Sequence, residues 1–296
     1  ETQVGITSKI SVTHSLLDKM KQGDVLVVQG AVTYTFLLIE QFIDSIKKNT
    51  SQIEKIIEDY NAKIESETAA ITKEKKPNAS DLITEIQGKF QKEKSEKIKA
   101  LIEITDEQIK HLVGNSFVEW KEIGEQIAFA SRVIFKANEK KVTLLLNSDH
   151  IITDKFPDKY GNLPKDAQIK LYDKALGIPI GWLGVAPGPK TTQSICESVK
   201  KAYLLILAGP IAIEDPRLEE LYGSNKQLLD AIRQAKQKGA ITIAAGGDTV
   251  GMVNTMGGTD SFTVISNAGG ATLELIEKDG KLPGIVALEK AADARG

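Results

Sequence analysis

The chain has 296 residues, enough for one large domain or two smaller ones, and its 41% hydrophobic and 26% charged content is ordinary for a globular protein. A net charge of -2 lacks the basic footprint of a nucleic-acid or anionic-membrane binder, and no apolar run reaches the roughly 18 residues of a membrane span. The single cysteine, Cys196, excludes an internal disulfide framework and points to a reducing, intracellular compartment such as the cytoplasm.

The chain begins at Glu1 without an initiator methionine or a signal-like stretch, which fits a processed product or a piece of something longer. Ser15–Met20 continues an amphipathic helix that ends at Gly23. Asp24–Val28 is an apolar, β-branched run of the kind buried on both faces of a parallel sheet, and Tyr34–Leu38 opens the next helix.

From about Ile39 to Leu112 Lys and Glu dominate. Ile39, Ile43, Ile46, Ile53, Ile57, Tyr60, Ile64 and Ile71 recur four and three apart, with Thr50 filling one gap and a polar position near Glu67. That spacing predicts a heptad seam. Lys73–Ser80 breaks it, and Ser80 is the expected N-cap of a second helix with its own stripe: Leu82, Ile83, Ile86, Phe90, Ile98, Leu101 and Ile102. Two long helices with one breaker predict a helical hairpin, or coiled coil, inserted at 39–112. It is either a solvated protrusion whose stripes satisfy each other or a docking arm for a protein partner.

Thr105 with Gln108 is an expected capping box. A helix around Glu119–Asn138 then precedes a strand at Lys141–Leu146, with Ile151–Thr153 as a short extension. Phe156 to about Pro179 reads as a polar loop, and Gly181–Pro189 as a rigid turn before a helix at Thr191–Lys200. Ala202–Leu207 and Ile241–Ala244 read as strands flanking one helix, Leu218–Lys238, and Phe262–Ile265 as the last strand. The alternation predicts an α/β fold with a doubly wound parallel sheet, formed by residues 1–38 and 113–296, with ligands at the carboxyl ends of the strands. Two successive strand–glycine–helix turns, Ala245-Gly246-Gly247-Asp248-Thr249 and Asn267-Ala268-Gly269-Gly270-Ala271, fit phosphate at a helix N-terminus.

These residues carry a resemblance. Lys9-Ile10, Gly30 with Tyr34-Thr35-Phe36, Val113–Ser116, Asp149 with Thr153–Phe156 and Gly181–Gly184 occur in order. Gly188-Pro189, Gly209-Pro210, Gly246–Thr249, Gly269–Leu275 and Leu282–Gly284 follow. Together they resemble the C-terminal, nucleotide-binding half of phosphoglycerate kinase. The resemblance implies a Rossmann-type three-layer domain that binds Mg-ATP or Mg-ADP, with a separate N-terminal half holding 3-phosphoglycerate. It implies that Asp248 associates with the nucleotide-bound Mg²⁺, and that Gly246, Gly247 and Thr249 form the phosphate-side turn. It further implies that Gly269 and Gly270 stabilise the transferring phosphoryl group while Lys9 reaches the phosphates. Gly30 and Leu183 would line the adenosine pocket, Asp215 would contact ribose, and Gly209-Pro210 would lie on the same rim.

Departures from the family pattern accompany the matches. The first lysine of the family's GGAK segment is Gly5. Ala208, Ala212, Ala245, Ala268 and Ala186 replace an Asn, three Gly and an Asp. Phosphoryl transfer depends on positioned positive charge, so this pattern predicts a degenerate, non-catalytic domain docked into a larger assembly, with weak or absent nucleotide binding. The alternative is the C-terminal half of an active phosphoglycerate kinase of glycolysis whose N-terminal half lies elsewhere. The scattered His14, His111 and His150 read as structural, as do Trp182 and Cys196. The mixed Lys/Glu runs at Lys73–Lys76 and Lys92–Lys99 read as solvated faces, not as nucleic-acid contacts.

Overall fold

The structure is a computed structural model that describes residues 6–74, 78–116, 123–158 and 161–293. Helix α1 (Ile6–Lys19) leads to strand β1 (Val25–Val27). Three further helices, α2 (Ala31–Glu74), α3 (Ala79–Ile102) and α4 (Asp106–Val113), follow before α5 (Ile123–Lys140) and strand β2 (Thr143–Leu145).

Strands β1 and β2 pair in parallel, with Val27 opposite Leu145. Alternation then sends side chains to two different cores. Val28, Val142, Leu26 and Leu144 enter a cluster with Leu17 of α1, Phe36 and Leu38 of α2, and Ile127 and Val133 of α5. Val27 and Leu145 point the other way, against the second cluster described below. Burial on both faces is why these runs are uniformly apolar.

Next come β3 (His150–Thr153), β4 (Ile169–Tyr172), β5 (Leu183–Pro187) and helix α6 (Pro189–Val199). Three stretches depart here from the sequence-based expectation. Ile151–Thr153 is no extension of β2, since β3 is the central strand of a separate antiparallel sheet ordered β4-β3-β5. The 156–179 loop contains β4, and the 181–189 turn contains β5. Leu163, Leu183, Val185 and Ala186 close over Ile151 to give this sheet its own apolar cluster. Glycine and proline in β5 hid a strand whose existence depends on partners distant in sequence.

The chain continues through β6 (Leu204–Leu207), α7 (Pro216–Leu221), α8 (Ser224–Gln237), β7 (Ile241–Ala245), α9 (Gly247–Thr255), β8 (Val264–Ser266), α10 (Gly269–Glu277) and α11 (Pro283–Asp293). The helix expected at Leu218–Lys238 is two helices, because Gly223 takes φ 59° between them. Strands β6, β7 and β8 form a parallel sheet with β7 at its centre. Leu205, Leu207 and Ala244 pack on Ile195 and Cys196 of α6, Leu228 and Ile232 of α8, and Met252 and Val253 of α9. Burial pushes the Cys196 thiol pKa upward, away from the reactive thiolate.

Helices α2 and α3 pack against each other as the expected hairpin. Ile39, Ile46, Ile53, Ile57, Tyr60 and Ile71 on α2, and Ile98 and Ile102 on α3, are buried along the seam. Two details differ from expectation. Helix α2 runs 44 residues from Ala31, interrupted only by non-helical dihedrals at Phe42, and α3 begins after Asn78 without a side-chain cap. Ser80 therefore lies inside the helix. The stripe of α3 also admits Lys94, which is fully buried with its Nζ 3.4 Å from Asn61 Oδ1. The capping box forms: Thr105 Oγ1 accepts from Gln108 N, and the Gln108 side chain accepts from Thr105 N. The expected Glu119 helix appears as α5, and the residues before Ile123 lie outside the described residues.

Candidate nucleotide site

The carboxyl ends of β6, β7 and β8 carry three turns that the sequence places about forty residues apart or less. The structure locks them together. Gly246 N donates to Ser266 O at 2.8 Å, joining the β7 turn to the end of β8. Gly246 has φ 105°, and a Cβ on Gly269 would lie 2.9 Å from the Gly246 Cα. The two turns can lie back to back only because Gly269 carries no side chain, while Gly246 is set by its positive φ. On the other flank, Gly209 N donates to Thr249 Oγ1 at 2.7 Å, and that hydroxyl donates to Ala245 O at 2.8 Å. Thr249 is buried, so its hydroxyl is a strut between the β6 and β7 turns.

Gly209, Pro210, Gly246, Gly247, Asp248, Thr249, Gly269 and Gly270 thus share one rim. Helix α9 starts at Gly247 and α10 at Gly269, so two sets of first-turn backbone N–H groups rise from adjacent turns. Asp248 is exposed in the first turn of α9 and accepts no hydrogen bond among the described residues. A Cβ at Gly247, Gly270 or Gly209 would meet nothing within 4 Å, so this side of the rim faces open space.

Other expected site residues lie elsewhere. Asp215 is 3% exposed and caps α7. Its Oδ1 accepts from Arg217 N and Nε, at 2.9 and 3.0 Å, and its Oδ2 from Leu163 N and Arg217 Nη2, at 2.9 and 3.0 Å. The Arg217 bond, with the backbone donors, holds its pKa below the usual carboxylate range. That carboxylate ties the 163–165 segment to α7 and has no capacity left for a ribose. Leu183 sits in the core of the antiparallel sheet. Gly30, with φ 68°, lies at the end of β1 on the β1-to-α2 turn. Lys9 belongs to α1, which packs beside α10 and pairs Lys19 with Asp279, in the turn after α10, at 2.6 Å. The Lys9 side chain and Gly5 lie outside the described residues.

Glu214 is the residue that sequence reasoning passed over. Burial, the nearby Asp248 carboxylate and then Glu219 raise its pKa. Its position beside Asp215 was the available signal, since only one of two adjacent acids can cap a helix. Asp248 with Glu214 nearby gives hard oxygen donors of the kind that share a Mg²⁺ ion with nucleotide phosphates. Among the described residues no group of three or more His, Cys, Asp or Glu could hold a metal by itself.

Comparison with known proteins identifies the family. The phosphoglycerate kinase family model matches residues 106–279. Phosphoglycerate kinase 1, chloroplastic, of Arabidopsis thaliana is 33% identical over 180 residues, covering 60% of this chain and 34% of that protein. Phosphoglycerate kinase of Candida albicans is 36% identical over 157 residues, covering 53% of this chain and 35% of that protein. The solved phosphoglycerate kinase from Coxiella burnetii aligns with a TM-score of 0.57 at 21% identity, covering 99% of this chain and 52% of that one. The chain belongs to the phosphoglycerate kinase family. It spans little more than a third of the length of these two curated relatives. No helix among the described residues is long and apolar enough to cross a membrane.

Proposed function

We propose that the chain is a nucleotide-holding domain of the phosphoglycerate kinase type, non-catalytic by itself, that serves as a docking component of a larger assembly. The observation that carries the nucleotide reading is the pair Gly247 and Gly270. Neither has a positive φ, and each faces open space. Glycine in a first helical turn forgoes up to about 1 kcal/mol relative to alanine without any return inside the fold. Close approach of a phosphate to the backbone N–H groups supplies the missing reason. Asp248, exposed in the first turn of α9, is the residue that would hold a nucleotide-bound Mg²⁺, which would offset phosphate charge there.

The non-catalytic part rests on charge. With Gly5 in place of the first family lysine, Lys9 on α1 is the remaining lysine that matches the family's phosphate-side pair. The docking part rests on the hairpin, whose described residues include no exposed large hydrophobic side chain. Its contact with a protein partner is accordingly polar and sensitive to salt. A second reading is the C-terminal half of an active phosphoglycerate kinase, favoured by the family match and by the share of its relatives that the chain spans. That reading requires turnover of 1,3-bisphosphoglycerate with ADP once a substrate-binding half is supplied, whereas the docking reading requires none.

Gly247→Ala and Gly270→Ala test the nucleotide reading. Each variant is expected to match or exceed the wild-type denaturation midpoint while losing about tenfold or more in Mg-ADP affinity. Unchanged affinity in both would remove the basis for the phosphate cradle.

A further inference from the structure

One face of the sheet formed by β6, β7 and β8 is left without a partner. Leu205, Leu207 and Ala244 point towards α6, α8 and α9, so alternation turns Leu204, Ile206, Ile241, Ile243 and Val264 to the other side. Pairing sets Leu204 beside Ile241 and Ile243 beside Val264, which makes the five contiguous. Among the described residues none of the five enters an apolar cluster, and Leu204, Ile241 and Val264 are 59%, 51% and 48% exposed. Tyr203, whose carbonyl accepts Ile241 N at 2.9 Å, is 91% exposed at the edge of the patch. Parallel sheets are ordinarily covered on both faces, and an open aliphatic patch of this kind marks an interaction site.

The charge around the patch says what covers it. Lys201 and Lys238 each stand three residues before the paired Leu204 and Ile241, and Lys200 precedes Lys201; all three are exposed. Their side chains have no hydrogen-bond or ion-pair partner among the described residues, whereas Lys236 is spent on Asp260 O and Phe262 O. The acids at this end are engaged instead. Asp260 accepts from Arg233 Nε and Nη2 at 3.0 and 3.1 Å, and Glu197 from Gln193 Nε2 at 2.8 Å. The result is an aliphatic strip with a free positive rim, on a chain whose net charge is -2. A second copy docked symmetrically would bring like charges together. A membrane is reached by side chains that protrude into it, whereas those of a sheet stand level with the neighbouring strands. The complement is a segment with aliphatic side chains on one side and carboxylates on the other.

We propose that this face is a second docking surface, distinct from the hairpin, and that it takes an acidic amphipathic segment of a partner protein. The inference does not depend on the nucleotide reading. Fluorescence anisotropy of the full chain with a labelled helical peptide, leucine on one face and glutamate on the other, is expected to show saturable binding at about 10 µM. Leu204→Thr with Ile241→Thr, and separately Lys200→Glu with Lys201→Glu, should each weaken it about tenfold or more. Both double variants should keep the wild-type urea midpoint, because the altered side chains are exposed. The same peptide with lysine in place of glutamate should bind about tenfold or more weakly than the acidic one. Equal binding of the two peptides, affinity indifferent to both double variants, or no binding up to millimolar peptide would overturn the proposal. So would an occupant of another kind: phosphatidylserine vesicles that sediment the wild type but not Leu204→Thr with Ile241→Thr, or a dimer in analytical ultracentrifugation that the same variant disperses.

Discussion

His150 reads as structural from sequence, and its surroundings are those of a structural residue. Its ring is stacked on Tyr34 at a centroid distance of 5.2 Å and bonded at both nitrogens, inside a shell closed by Asn147 and Ala175. Burial lowers its pKa below 6.5, opposed by the Ala175 carbonyl and the Asp149 carboxylate. The unfolded chain takes up a proton near pH 6.5 while the folded chain does not. The contribution to stability is therefore complete above about pH 6.5 and is lost as pH falls below it. Urea midpoints measured at pH 7.5 and 5.5 are expected to fall with acidification, by no more than about 1.4 kcal/mol per pH unit from this residue. His150→Gln should flatten that dependence. His14, whose pKa is also lowered, by burial and then by Lys136, acts in the same direction, so His14→Gln is the control. A wild-type midpoint independent of pH in this window would contradict the account.

At the scale of elements, legibility followed the range of the interactions involved. The capping box at Thr105 and Gln108 was legible because both hydrogen bonds close within four residues. The hairpin seam was legible because its periodicity is long. Strand β4, Ile169–Tyr172, was not, since a four-residue run with one lysine becomes a strand only when β3 supplies its hydrogen bonds. The glycine turns announced themselves, but their close approach at Gly246 and Gly269 is a tertiary fact. Asp215 went the other way, because a residue matched to the family's ribose contact is consumed by Arg217 and Leu163. The hairpin also divides along its length. Ile53, Ile57, Ile98 and Ile102 share the core of the α/β domain, whereas Ile71, though buried, lies beyond that cluster. Ile53→Ala is expected to lower global stability by about 2–5 kcal/mol. Ile71→Ala should chiefly speed hydrogen exchange near the tip and leave the global midpoint close to wild type. Equal effects on the midpoint would show that the hairpin and the domain unfold as one unit with no such division.

For the whole molecule, the family assignment and the α/β fold agree between sequence, structure and relatives, while the balance between holding a nucleotide and turning it over depends on charge. The chain has the helix N-termini, the strut at Thr249 and the outward carboxylate of Asp248, and on the proposed reading Gly5 stands where the family pattern has a lysine. Backbone donors suffice to bind phosphate, but stabilising the charge of a transferring phosphoryl group asks for more. On the proposed reading, the rim holds the nucleotide and the inserted hairpin meets the partner. The most direct test is titration calorimetry of the full chain with Mg-ADP, repeated with Asp248→Asn. The account predicts saturable binding at one site per chain, weakened several-fold or more by the substitution. Absence of heat up to millimolar nucleotide, or binding indifferent to Asp248→Asn, would contradict it.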